Sequence, residues 1–166
     1  KIVIMSNLMD SIKNLRETTG AGFLDCKNAL KENNNDIEKS IVFLRKKGLA
    51  KAVKKSSREA NEGAVGVFMN DQVAVILEIN TETDFAAKNA VFLDFVDQIG
   101  KYALSLNISV NLSLEDFLNK SFAEKKIAEH FADIIAKIGE NIVLRRLSFI
   151  NKDLDSHFYS YTHNAY

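Results

Sequence analysis

One cysteine and no proline occur among the 166 residues. The lone Cys26 excludes an internal disulfide framework and any all-cysteine metal site, and it fits a reducing compartment, so the cytoplasm is the default location. With proline absent, breaks between elements have to be read from glycine, asparagine and aspartate. Net charge is missing too, because 22 Lys and Arg residues balance 22 Asp and Glu residues. Nothing therefore steers the whole chain toward nucleic acid or a membrane, and any electrostatic role is local. No apolar run approaches the roughly 18 residues that span a bilayer, and the opening KIVIMSN turns polar too soon for a secretory signal, which argues against export. Met5 reads as an initiating methionine, and the four residues ahead of it are left out of the expected fold.

Catalytic signatures are missing as well. There is no GxxxxGK followed by Ser or Thr, no GxGxxG and no GxSxG, hence no phosphate cradle, dinucleotide turn or nucleophile elbow. The chain reads as something other than an enzyme acting alone, and no cofactor is called for. His130, His157 and His163 are scattered without a second metal ligand at helical spacing, and His130 reads as a boundary imidazole. Cys26 lies on an apolar helical face, where a buried small hydrophobe is the simplest reading. Glu82 and Asp84 could form a carboxylate pair for acid-base work, but nothing nearby supports one.

What is present is a globular composition, 46% hydrophobic, with clear periodicities. Leu8, Ile12 and Leu15, then Phe23, Cys26 and Leu30, then Ile37, Ile41 and Leu44 make three helical stripes, which predict a three-helix bundle over residues 6–48. TTGAG supplies two glycines for the first turn, Asn35 or Asp36 is expected to cap the third helix, and Gly48 to close it in a left-handed conformation. Residues 49–62 are expected to be a basic linker, with a short solvated helix as an option. Over residues 63–166, GAVGVFM and VAVILEI flank Asn70 and Asp71, which tolerate positive φ, and predict a hairpin. Helical stripes follow at Phe92–Ala103 and Ile127–Ile138, with a short amphipathic piece at Leu114–Leu118 between them. Gly139 is expected to end the later helix. NIVLRRLSFI predicts a third strand and HFYSYTH a possible fourth. The order predicts an α+β domain, an antiparallel sheet with helices packed on one face.

The corner TETDF interrupts this pattern. Its strand stops at Asn80, a helix is expected from about Ala86, and Phe85 stands between them with no apolar neighbour in the loop. Pattern alone leaves two readings open: Phe85 is the first core residue of that helix, or it is an exposed anchor for a partner.

LRETTGAGFLDCKNAL, INTETDFAAKN and AKIGENIVLRR, in this order, resemble the elongation factor Ts family from about Ser6 to His163. The resemblance implies that the first bundle is ubiquitin-associated-like (UBA-like). It also implies that residues 63–166 are the first half of the family's core, incomplete at the C-terminal end. The implied activity is guanine-nucleotide exchange in translation elongation, on the GDP-bound form of the GTPase elongation factor Tu, with neither membrane nor direct nucleic acid as partner. Thr83, Asp84, Phe85 and Ala86 are the implied element that dislocates the magnesium ion of that partner. Arg16, Phe23, Leu24 and, through the terminal YTH, His163 are the implied docking residues. Ala86 departs from the family's usual valine. Two rivals remain: a nucleic-acid-binding module using the bundle and the basic run, and an adaptor using the surface around GAGF. Acids along the second domain, and the lack of aromatics interleaved with the lysines, weigh against the first. The second rests on fold analogy alone.

Overall fold

A computed structural model describes residues 2–106, 108 and 112–161, with side chains from Leu8 onward. The chain divides into two compact units, residues 1–57 with 129–139, and residues 58–128 with 140–166.

The first unit begins with three helices, α1 (Ile2–Thr19), α2 (Phe23–Glu32) and α3 (Ile37–Lys55). Ile12, Leu15, Cys26, Ala29, Leu30 and Leu44 form its buried centre, with Leu8, Ala21, Ile37, Ile41 and Phe43 packed against it. The first break follows the glycines: Gly20 adopts φ +68 and its amide donates to the Arg16 carbonyl at 2.9 Å, closing α1. At the second, Asn34 and Asn35 take positive φ, and Asp36 caps α3 by accepting from the Lys39 amide at 3.0 Å. Three expectations need correction. Helix α1 begins at Ile2, so it includes residues that were set aside. Phe23, assigned to the inner stripe, is 39% exposed. Gly48 does not end α3, which continues two turns to Lys55, so residues 49–55 are helix. The reason is packing: Gly48 is buried, and a Cβ there would meet Ala136 at 3.9 Å. Ala136 belongs to α7 (Ile127–Ile138), most of which joins this unit. A methyl at this position would make only ordinary van der Waals contact, and the helix runs on through Gly48 without a left-handed cap.

Two lysines of the basic run are engaged within the bundle. Lys51 and Lys47 place Nζ 2.7 and 2.9 Å from the carboxylate oxygens of Asp25, in the first turn of α2. Hydrogen bonds from Lys51 and then Lys47 outweigh burial and hold the Asp25 carboxyl below its ordinary range. A carboxylate depressed on folding contributes stability that is fully present above its unfolded value, near 4, and is lost as pH falls through the lower folded value. Asp25→Asn should therefore lower the melting temperature at pH 7 by roughly 2–4 °C. The gap to the parent chain should close as the pH is taken well below 4, which thermal melts across that range would check.

The second unit is built on a three-stranded antiparallel sheet in the order β1 (Glu62–Met69), β2 (Val73–Thr81), β5 (Ile142–Asn151). Val73, Val75, Leu77 and Ile79 alternate along β2 and are all buried. Against β1 and β2 packs α5 (Ala90–Ser105), burying Phe92, Phe95, Val96, Ile99 and Ala103. The side chains of this stripe and of the strands' inner faces make one apolar layer, as the period-2 and period-3.6 patterns require. The hairpin turn is stapled by a side chain, Asn70 Oδ1 accepting from the amides of Gln72 and Val73 at 2.9 Å each, and neither Asn70 nor Asp71 has positive φ. Positive φ falls instead at Ala123 and Glu124, between the short strands β3 (Ser121–Phe122) and β4 (Lys125–Lys126). The β2–β5 register shifts between Glu78 and Ile79, so that Arg145 is the extra residue of a bulge. Its guanidinium donates to the Ala60 carbonyl at 2.9 Å, a redirection that bulges commonly serve. The expected fourth strand does not form over residues 157–161, which are irregular, with Tyr159 and Tyr161 largely exposed. Residues 162 and 163 of that segment lie outside the described residues. No helix among the described residues is long and apolar enough to cross a membrane.

Candidate functional site

The corner after β2 is a pair of capped helical starts. Thr83 leaves the strand with extended backbone, and its hydroxyl oxygen accepts from the Ala86 amide at 3.3 Å, capping the single turn α4 (Asp84–Ala87). Two residues later Asn89 caps α5, its side chain accepting from the Val91 amide at 2.8 Å. Ser, Thr, Asp and Asn are favoured at such positions because their oxygens satisfy amides with no partner inside the helix. The helical pattern thus begins at Asp84, breaks at Lys88 and Asn89, and resumes.

One turn of helix has an inner and an outer side. Ala86 and Ala87 are buried on the inner side, while Phe85 is 84% exposed on the outer. The ring is therefore no core residue of the following helix. Asp84 sits beside it, its carboxylate 2.9 Å from Lys88 Nζ. That hydrogen bond is the main reason its carboxyl stays below the ordinary range. Ala86, grouped with the ring by sequence, turns its methyl inward, so the smaller side chain alters packing within the unit and leaves the outer face unchanged.

Behind the corner lie two carboxylates, Glu82 and one that sequence reasoning passed over, Glu140. Glu140, immediately after Gly139, accepts on Oε2 from the Thr81 hydroxyl at 2.9 Å, the Glu82 amide at 3.1 Å and the Thr83 amide at 3.0 Å. Its Oε1 accepts from the Thr83 hydroxyl at 2.7 Å. Burial alone would raise the Glu140 carboxyl, but the donors on Thr83, Thr81 and Glu82 together bring it below its ordinary value. In the opposite direction, Glu82 Oε1 accepts from the Asn141 amide at 2.6 Å and from the Arg58 guanidinium at 3.5 Å. Asn141 donates its side-chain amide to the Arg58 carbonyl at 2.7 Å. Glu82 and Asp84 are thus each occupied by separate donors and do not form an acid-base pair. The available signal for Glu140 was an acid placed between a helix-ending glycine and a β-branched strand, in AKIGENIVLRR.

The remaining candidates lie in the first unit. Arg16 is exposed in the last turn of α1, and Leu24, 69% exposed, follows Phe23 at the start of α2. His163 lies outside the described residues. What the corner offers chemically is an apolar ring on a rigid turn with a carboxylate next to it.

Comparison with known proteins bears on this arrangement. A family model described as "Elongation factor TS" matches residues 82–166. The chain is 44% identical over 161 residues to "Elongation factor Ts" of Bartonella henselae (strain ATCC 49882 / DSM 28221 / CCUG 30454 / Houston 1), covering 97% of this chain and 52% of that protein. It is 45% identical over 154 residues to the protein of the same name from Ruegeria sp. (strain TM1040), covering 93% of this chain and 50% of the relative. The chain spans about half the length of these curated relatives. With more than half of its residues under the family model and nearly all of them aligned to proteins of that name, the chain belongs to the elongation factor Ts family.

Proposed function

We propose that the chain acts in translation elongation, in the cytoplasm, as a guanine-nucleotide exchange factor for GDP-bound elongation factor Tu, and that Phe85 is the element pressed into the partner. The observation that carries this reading is the phenyl ring, 84% exposed on a turn whose backbone is capped and hydrogen-bonded from behind. An apolar ring held in water contributes nothing to its own core. Transferred into a partner's pocket, it contributes roughly 1.5–3 kcal/mol, the size of an interface hot spot.

Exchange is a coupling between two ligands of one GTPase: a factor that favours the empty form must itself be loosened by the nucleotide. Weakening nucleotide binding about 10⁴-fold requires the factor to prefer the empty form by roughly 5.5 kcal/mol. One ring supplies less than that. Asp84, beside it, adds a charge able to disturb the partner's magnesium site. Arg16, Phe23 and Leu24, on the bundle proposed for residues 6–48, supply a second docking surface that raises the effective concentration of the first. His163 is proposed to join them. The factor forms and breaks no covalent bond in this scheme and is not an enzyme in its own right.

The test is release of fluorescent GDP from elongation factor Tu as the chain is titrated in, repeated from low to high salt. Accelerated release that saturates and changes little with salt is expected. If the chain instead bound nucleic acid through its lysines, with affinity falling steeply as salt rises and no effect on GDP, the reading would be wrong. The pairing of Lys47 and Lys51 with Asp25 leaves fewer free cations for that alternative.

A further inference from the structure

We propose that Glu140 is the positioning residue of the corner: its carboxylate fixes the Thr81–Thr83 backbone and so sets the direction in which Phe85 projects. The proposal rests on the reading of Phe85 as the pressing element.

Helix α4 is four residues long. A single turn has no stability of its own, since nucleating it fixes several dihedrals for very few hydrogen bonds. Its inner face is two alanine methyls, which fill space without selecting an orientation. Direction must therefore come from the turn's ends. At the far end Asn89 caps the next helix, and at the near end everything converges on Glu140. Four donors from three successive residues meet one carboxylate, at 2.7–3.1 Å. Hydrogen bonds to an ionised acceptor are short and strong, and those from Thr81 and Glu82 are partly buried while the two from Thr83 are exposed. The Thr83 hydroxyl links the two layers. By donating to Glu140 it turns its lone pair toward the Ala86 amide, the side-chain bond that caps the start of α4. Such chains strengthen one another. Glu140 is itself anchored, because the Asn141 amide next to it is held by Glu82. The carboxylate is thus a fixed point, and Phe85 lies two residues beyond the last backbone amide it holds.

The test compares the parent chain, Glu140→Ala, Glu140→Gln, Phe85→Ala and the Phe85→Ala, Glu140→Ala double variant. For each, the maximal rate of fluorescent GDP release from the partner GTPase and the half-saturating concentration are measured. Amide hydrogen exchange is followed by NMR in the same samples. Glu140→Ala should slow maximal release about tenfold and leave the half-saturating concentration within about twofold, since the bundle still docks. Protection should fall at the amides of Glu82, Thr83 and Ala86 and stay unchanged along the β1–β2 ladder. Glu140→Gln keeps an oxygen for the Oε2 donors and loses the acceptor for the Thr83 hydroxyl, so it should fall between. A residue acting only through the ring adds nothing once the ring is gone, so the double variant should match Phe85→Ala within about twofold. Parent-like release by Glu140→Ala, or losses that multiply in the double variant, would overturn the proposal. So would loss of protection throughout the sheet, which would make Glu140 a general structural residue. Unchanged release by Phe85→Ala would instead sink the underlying reading of the ring, and this proposal with it.

Discussion

Phe85→Ala is expected to slow the stimulated release of GDP from elongation factor Tu by roughly ten- to a hundredfold, with the melting temperature of the chain unchanged. The first half follows from the 1.5–3 kcal/mol that a buried phenyl ring contributes, at tenfold per 1.4 kcal/mol. The second half follows from where the ring sits. At 84% exposure it makes almost no contact within its own unit, so its removal opens no cavity. Surface substitutions of that kind stay within about 0.5 kcal/mol of the parent stability. Stopped-flow release and a thermal melt on the same preparation decide it. Loss of fold would mean that the ring packs internally in solution, and unaltered release would mean that the partner does not use it. Phe85→Leu should keep part of the rate, since a smaller apolar side chain still fills part of a pocket.

The largest loss of stability is expected from Gly63→Ala, at roughly 3 kcal/mol or more, read as a shift in the midpoint of chemical denaturation. Gly63 sits at the start of β1 opposite Asn80, with φ +149, a conformation side chains rarely adopt. A Cβ there would lie 2.2 Å from the Ile79 carbonyl oxygen and 2.7 Å from the Asn80 Cα. Both are backbone atoms of the central strand, so relief requires the strands to part. Gly100 makes a useful contrast. A Cβ at that position would meet the Phe68 ring at 2.0 Å, nominally a worse clash. But Phe68 is only partly buried, on an edge strand, and its ring can swing away. Gly100→Ala should therefore cost less than Gly63→Ala, despite the shorter distance. A reversed order would show that β1 yields more easily than the ring does.

The elements that sequence made legible are those whose evidence is local and repeated. The stripes Phe92–Ala103 and Ile127–Ile138, and the strict alternation of Val73, Val75, Leu77 and Ile79, each report a buried face several times over. The failures share a non-local cause. Gly48 reads as a helix end until its burial beside Ala136, 88 positions later, shows the helix running on through it. HFYSYTH has the composition of a strand, but residues 157–161 are irregular, and composition cannot say whether a strand will find a sheet to join. Ala123 and Glu124 turn a hairpin at positive φ without the Asn or Gly that would announce it. For the site, TETDF marks the place, since a large aromatic in a polar corner is anomalous on its face. Whether Phe85 points in or out was undecidable, because a single turn offers no periodicity to fix its inner side. Glu140 stayed invisible because its partners lie 57 to 59 residues away, and a lone acid after a glycine has many uses.

The same separation puts the parts of the corner in a fixed temporal order during synthesis. A ribosome extends the chain from the amino end at about 5–20 residues per second, so the 57 residues between Thr83 and Glu140 take roughly 3 to 11 seconds. Under the positioning role proposed for Glu140, the emerging polypeptide carries the exposed Phe85 ring unaimed for that interval. The cell's exposure to that hazard is set by translation speed across the stretch of message from Thr83 to Glu140.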